Sequence, residues 1–510
     1  MATTYAARPD VGPPALPQPD PPSRLRPTLP TDRLWGWLGP LAITLVAAYL
    51  RFARLAVPRD LVFDEIYYSK DAHDLIRYGV ERNTEGGPGF VVHPPLGKWL
   101  IGAGEGLYGH NSYGWRVAAA LFGSLAVLVL ARTARRLTRS TLLGCFAGLL
   151  LALDGLAFVQ SRVAMLDIFL MFWVLAAFGA LVVDRDVGRS RLAAHLAGGT
   201  PADRLRVGPR WWRLVAGLCL GAACATKWSA IYYVVVLGLL AFAWDVGARR
   251  TAGATNPLRA AARADLLPGA VAFLVLPALV YVVSWTGWFL GDATTAYDHD
   301  RYVRAGQGVL GHARAVFGGW LRYHWEAWNF HVHLHAAHPY RSSPWGWLLL
   351  ARPVLYFATY PKLGELGCTA AAGCARVTLD IGTPAIWWAS IPATVVVGWR
   401  WVSRRDWRAG AVLAGMGAGL LPWFATPERT AFLFYALPAL PFMVLGLTLC
   451  AGLALGPPDA DSTRRLRGAV AVGAFALLVI VNFFYLYPVL SAEVIPYVDW
   501  RARMWLPSWI

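Results

Sequence analysis

The chain has 510 residues, of which 57% are hydrophobic and only 15% charged, with a formal charge of +17. Soluble globular proteins carry roughly a quarter charged residues, so an ordinary water-soluble enzyme is excluded and the composition reads as bilayer-embedded. The basic residues sit at the ends of apolar runs rather than in a patch with interleaved aromatics, so they set membrane orientation and speak against nucleic acid as a partner.

Residues 1–33 are rich in proline, from Pro9 to Pro30. Proline opposes helix and the segment is poor in core-forming residues, so a disordered cytoplasmic tail is expected. No cleavable signal peptide precedes the first apolar run, which starts near Trp35.

A spanning helix needs about 20 apolar residues. Eleven runs qualify: about 35–56, 114–134, 141–159, 163–183, 212–229, 230–247, 266–289, 384–401, 408–424, 430–455 and 468–488. With the N-terminus inside, alternate loops carry Arg132, Arg135, Arg136 and Arg139, then Arg204, Arg206, Arg210 and Arg213, and later Arg400, Arg404, Arg405, Arg464 and Arg465. This placement obeys the positive-inside rule. The expectation is an all-α, multi-pass plasma-membrane protein with about 11 spans, N-terminus in and C-terminus out.

Residues 34–290 then form a transmembrane module with a first outer loop at 57–113. A large outer loop follows at 291–383, then C-terminal spans over 384–488 and an outer tail at 489–510. Outer loops of this length, rich in Trp and Tyr, are expected to carry function and short interfacial helices.

Asp64 and Glu65 lie in the first loop between apolar and aromatic neighbours. Partial desolvation raises the basicity of a carboxylate and suits a general base, although an isolated acidic pair also reads as interfacial charge facing water. Asp167, Arg162 and Lys227 stand near the outer ends of spans. Ionisable groups at membrane depth are costly, so they mark either a functional cavity or buried pairs that fix helix packing. Taken as a cavity, they offer carboxylates for a hydroxyl nucleophile and cations for a phosphate leaving group.

His331, His333, His335 and His338 form a spaced cluster. Helical spacing would align His331, His335 and His338, and strand spacing His331, His333 and His335. Without a companion carboxylate or thiolate at a diagnostic spacing, binding of phosphate or peptide is as reasonable as a metal. Cys368 and Cys374 are the cysteines outside the spans, and in an oxidising compartment they are expected to close a small disulfide loop. Cys145, Cys219, Cys224 and Cys450 read as small core residues.

Eight stretches run in order: FDEIYY (63–68), HPPLGKW (93–99), GWRVAAALFG (114–123), QSRVAMLD (160–167), ATKWS (225–229), HPYRSSPWGW (338–347), RPVLYF (352–357) and ERTAFLFYALPALP (428–441). In these the chain resembles the protein O-mannosyltransferases of the membrane-embedded GT-C class, in their actinobacterial form. The resemblance implies a GT-C fold, mannosyl phosphate on a polyprenol as donor, and a Ser or Thr of an exported polypeptide leaving the Sec translocon as acceptor. It places the family's acidic pair on Asp64 and Glu65, with Asp64 as base. It also places the second-span arginine on Arg116, an aspartate on Asp167 beside Arg162, and a substrate-side histidine on His338.

From topology and charge, Arg162, Lys227 and Arg429 are assigned to the phosphate. The expected reaction is direct displacement with inversion, requiring no metal or other cofactor. Two departures from the family stand out. The large loop is too short for the β-trefoil module of eukaryotic members, and FLFY (432–435) lacks their histidine. Alternatives are a related transferase acting on lipid or glycan, and a transporter using the intramembrane charges as a substrate path.

Overall fold

A computed structural model describes residues 21–27, 30–83, 89, 92–290, 309–457 and 459–510. The helices in chain order are α1 (Pro21–Leu25), α2 (Trp35–Phe52), α3 (Glu65–Tyr78), α4 (Leu96–Tyr108), α5 (Ser112–Thr138), α6 (Thr141–Ala152) and α7 (Gly155–Gln160). They continue with α8 (Asp167–Ala197), α9 (Trp211–Cys224), α10 (Ala230–Thr251), α11 (Pro257–Ala270), α12 (Leu276–Ser284) and α13 (Thr286–Leu290). A π-turn at Val271–Val275 joins α11 to α12. After residue 308 come α14 (Val309–Val332), α15 (Pro344–Trp347), α16 (Pro384–Arg404), α17 (Trp407–Leu420), α18 (Leu440–Leu455), α19 (Ser462–Leu490) and α20 (Tyr497–Arg503).

Every apolar run falls on helix. Among the described residues, six stretches are long and apolar enough to cross a membrane: α5, α8, α10, Pro257–Ser284, Leu433–Leu455 and α19. Polar residues cap the helices where the apolar runs begin. Asn111 accepts from the amides of Tyr113 and Gly114 ahead of α5, Ser140 caps α6, and Asp461 caps α19. Burial separates axis from periphery: 72% of the apolar window of α8 and 89% of that in Leu433–Leu455 is buried, against 22% in α19 and 17% in Pro257–Ser284. The first pair forms the core, and the second pair turns its apolar surface outward, as lipid-facing helices do.

One end of the bundle is arginine-rich and internally paired. Arg210 bonds Asp184, and Arg213 reaches Asp184 at 3.2 Å and Asp245 at 2.7 Å. Arg249 grips Asp265 at 2.6 Å, and Arg136 meets Asp186 at 2.7 Å. The two long inter-helix segments, 57–113 and 291–383, meet at the other end, where His331 contacts the Val92 carbonyl and Phe63 stacks on Tyr356.

Three expectations change. The N-terminal segment is not wholly without helix or core. Prolines 21 and 22 are tolerated in the first turn of α1, and Leu25 is buried with Leu192, Leu205 and Val207. Residues 1–20 lie outside the described residues. The predominantly helical chain also carries a three-stranded antiparallel sheet, β1 (Val354–Thr359), β2 (Cys374–Asp380) and β3 (Val494–Pro496). Its first two strands are rich in β-branched and aromatic residues, which fit a pleated, half-buried surface. Finally, the C-terminal tail is folded in: β3 joins this sheet, and Arg352 donates to the carbonyls of Ser508 and Ile510.

Close backbone approach fixes the 57–113 segment on the bundle. A Cβ at Gly104 of α4 would stand 2.4 Å from the Gly114 carbonyl oxygen of α5. Only glycine permits that contact.

Candidate active site

Asp64 stands at the N-terminus of α3, where its carbonyl accepts from the amides of Tyr67 and Tyr68. Its position is set from both neighbours. Phe63 before it has φ of 49°, a left-handed conformation that costs a bulky L-residue about 1–2 kcal/mol. Aromatic packing holds it there: the Phe63 ring stacks on Tyr356 at 4.9 Å and meets Phe432, Phe434 and His338 edge-on at 5.6, 5.9 and 5.8 Å.

Glu65 after it is fully buried in a fork with Arg116, Oε1 to Nε at 2.8 Å and Oε2 to the second guanidinium nitrogen at 2.7 Å. Its oxygens also accept from the amides of Ala164 and Val62. Arg116 spends its remaining donors on the carbonyls of Leu55, Pro58 and Asp60.

Glu65, expected in catalysis, and Arg116, expected at the donor, are thus placed against each other and the loop backbone. Both side chains are consumed in anchoring the loop. Arg162, expected at the phosphate, donates its guanidinium to the carbonyls of Leu50, Arg51, Ala53 and Arg54. These lie in the last turn of α2 and the residues just after it, where a buried cation satisfies helix-end carbonyls.

Asp167 and Lys227 are brought together. The Lys227 ammonium lies 2.9 Å from both oxygens of Asp167, and over the Tyr435 ring at 4.5 Å. Asp64 feels both groups. Burial pushes its carboxyl up to about 6, against the lowering pull of Lys227 and a hydrogen bond from Tyr68, while Asp167 adds to the rise. A carboxylate poised there accepts a proton at neutral pH.

Lys227 also lines a cavity of about 260 Å³ shared with His93, Trp228, His331, Trp423, Arg429 and Tyr435. Exposed Ile231, Tyr232 and Trp328 form its margin, so it opens sideways along α10. Arg429 donates to the His331 carbonyl at 3.0 Å and to its ring Nδ1 at 3.2 Å. His331 is pushed down to about 4, mainly by burial, and burial holds His93 well below the usual histidine range. Both rings are therefore neutral at pH 7, and the positive charge of the cavity resides on Lys227 and Arg429.

The histidine cluster is dispersed. His331 bonds the Val92 carbonyl, His333 that of Asn329 and His335 that of Glu428, while His338 accepts from the Tyr340 amide. The chain leaves the helix after Val332, so neither spacing expectation applies. His338 packs against Phe63 and Phe432, behind the base rather than in the cavity. Cys368 and Cys374 form a disulfide.

Sequence reasoning gave no role to Tyr68, Tyr435, Trp228 or Trp423. Tyr68 follows Asp64 by one helical turn, the one spacing that could have pointed to it. A second buried carboxyl, Asp380, receives Gln160 Nε2 at 2.8 Å. Burial raises it well above the usual range, and it supports Tyr356 under Phe63 through Gln160.

Two family models match the sequence: dolichyl-phosphate-mannose-protein mannosyltransferase over residues 41–285, and the C-terminal four-transmembrane region of protein-O-mannosyltransferase over 316–509. The polyprenol-phosphate-mannose–protein mannosyltransferase of Mycobacterium tuberculosis is 42% identical over 493 residues, covering 94% of this chain and 93% of its own. Its counterpart from Corynebacterium glutamicum is 35% identical, covering 88% of each. The donor-bound Pmt1–Pmt2 protein O-mannosyltransferase complex of Saccharomyces cerevisiae has a chain of the same fold, with a TM-score of 0.72 at 16% identity over 96% of this chain and 94% of that one.

Proposed function

The chain belongs to the dolichyl-phosphate-mannose–protein mannosyltransferase family, and from that premise we propose how its site moves mannose from a polyprenyl phosphate to Ser or Thr hydroxyls of exported polypeptides. The observation that carries the reading is the meeting of a raised carboxyl, Asp64, with the Lys227–Asp167 pair at the edge of a cationic cavity.

The acceptor hydroxyl oxygen attacks the mannose C1 while Asp64 takes its proton. The bond from C1 to the phosphate oxygen breaks, and polyprenyl phosphate leaves with the electron pair. Lys227 and Arg429 neutralise the charge that develops on it. Attack opposite the leaving group inverts the anomeric centre, from β-linked donor to α-mannoside. Phosphate is a competent leaving group and two cations adjoin it, so the step requires no metal.

The sideways mouth of the cavity suits a donor whose tail stays in the bilayer. The arginine-rich end lies opposite Asp64, which under the positive-inside rule supports an N-in orientation with the site outside the cytoplasm of a plasma-membrane enzyme. An acceptor would then arrive as it leaves the Sec translocon.

The test is transfer of labelled mannose from polyprenyl phosphate to a Thr-containing peptide by purified protein in detergent. Wild type labels peptide and Asp64→Asn does not. Undiminished transfer by Asp64→Asn, or label entering lipid in place of peptide, overturns the reading.

A further inference from the structure

The far end of α3 carries a second cluster of ligating groups, about 13 Å along the helix from Asp64 at 1.5 Å per residue. His73 of α3, Glu105 of α4 and His110 of the following turn present one ligand atom each within 4.8 Å of one another. The Glu105 Oε2 lies 3.0 Å from His110 Nδ1 and 3.4 Å from His73 Nδ1, and the imidazole centroids are 4.4 Å apart. Ligand atoms at tetrahedral vertices around an ion with bonds of about 2.0–2.1 Å stand about 3.3 Å from one another.

Ordinary hydrogen bonding leaves this cluster unsatisfied. Two imidazole nitrogens address one carboxylate oxygen, while the other oxygen, Oε1, is buried with no partner, as is His73 Nδ1. Glu105 is only 3% exposed. Buried polar atoms are nearly always satisfied, and orphans call for an explanation such as an ion. The acid nearest His73 on its own helix, Asp74, is committed to Lys70 at 2.9 Å and the Arg82 amide at 3.1 Å, so it does not fill the gap.

We propose that His73, Glu105 and His110 form a divalent transition-metal site of zinc type, with a fourth position open to water, that cross-braces α3 to α4. Two imidazoles and a carboxylate are a borderline-to-hard donor set suited to Zn²⁺. The three ligands come from two helices and a turn, so the ion closes the end of the α3–α4 pair remote from Asp64, while the Glu65–Arg116 fork closes the near end against α5. Its role is structural, and the glycosyl transfer proceeds without it.

The test uses the full chain in detergent, purified on a histidine-free tag, stripped with a chelator and titrated with Co²⁺. Tetrahedral d–d absorption and bound metal per chain are the readouts. The expected result is one Co²⁺ per chain in wild type and in the His333→Ala/His335→Ala control, whose imidazoles lie elsewhere. Binding is weakened at least about tenfold in Glu105→Gln and in His110→Ala. The His110 side chain is 43% exposed, and monodispersity on gel filtration verifies that both variants fold. Wild type that takes up no metal, or variants that bind as wild type does, overturns the proposal.

Discussion

Glu65 and Arg116 face each other as a fully buried fork, with paired contacts of 2.8 and 2.7 Å, directly beside Asp64, the proposed base. Two adjacent carboxylates thus divide the labour: Asp64 is left for chemistry and Glu65 holds the peptide that carries it. Removing Arg116 strands a buried carboxylate, which costs about 3–5 kcal/mol. Arg116→Met is expected to lower the thermal midpoint sharply, whereas Asp64→Asn leaves the midpoint near wild type while abolishing transfer. Differential scanning fluorimetry alongside the peptide assay checks both.

The pH profile follows from Asp64. Its carboxyl is pushed up to about 6, and only the deprotonated form accepts a proton. Thus kcat/KM is expected to rise about tenfold per pH unit below 6 and to level off above it. A profile flat from pH 5 to 7 would show that Asp64 is not the base.

Cations in similar positions in the sequence separate by function. Lys227→Met removes charge from the cavity and is expected to reduce kcat by about 10²–10³, the usual loss for one electrostatic stabiliser of the transition state. Arg162→Met removes donors from the carbonyls closing α2, so it lowers stability, and turnover per folded molecule stays near wild type. Steady-state rates normalised to the monodisperse fraction distinguish the two.

The legibility of the sequence follows the same division. Apolar length announced the helices, because a lipid-facing backbone must satisfy its own hydrogen bonds. Charge at membrane depth announced Asp167 and Lys227. Sequence shows that an arginine is buried, but not which carbonyls or carboxylates it meets, so the backbone partners of Arg116 and Arg162 were not legible. Tyr435, Trp228 and Trp423 were illegible because interfacial aromatics are plentiful and only the fold picks out those that line a cavity. His73 and Glu105 are 32 positions apart, and no local spacing joins them.

Asp380 offers a test of a neutral buried acid. Its carboxyl is raised well above the usual range by burial, so the folded state holds a proton that the unfolded state releases. Stability from this group is complete below the unfolded carboxyl range and declines as pH rises through it. Asp380→Asn carries no titrating proton and is expected to flatten that decline. Asp380→Ala removes one of the two acceptors of Gln160 Nε2 and leaves it only the Tyr356 hydroxyl, at a cost of about 1–3 kcal/mol. Urea unfolding at pH 5 and pH 8 reads both.

The aromatic cage around Phe63 also orders events in time. Tyr356, Phe432 and Phe434, whose rings keep that peptide in its unfavourable twist, all lie in the last third of the polypeptide. A nascent chain with only its first half inserted has the acidic pair and the Arg116 that anchors Glu65, but lacks the rings that hold Phe63. The setting of Asp64 is therefore completed from one side early in synthesis and from the other side late.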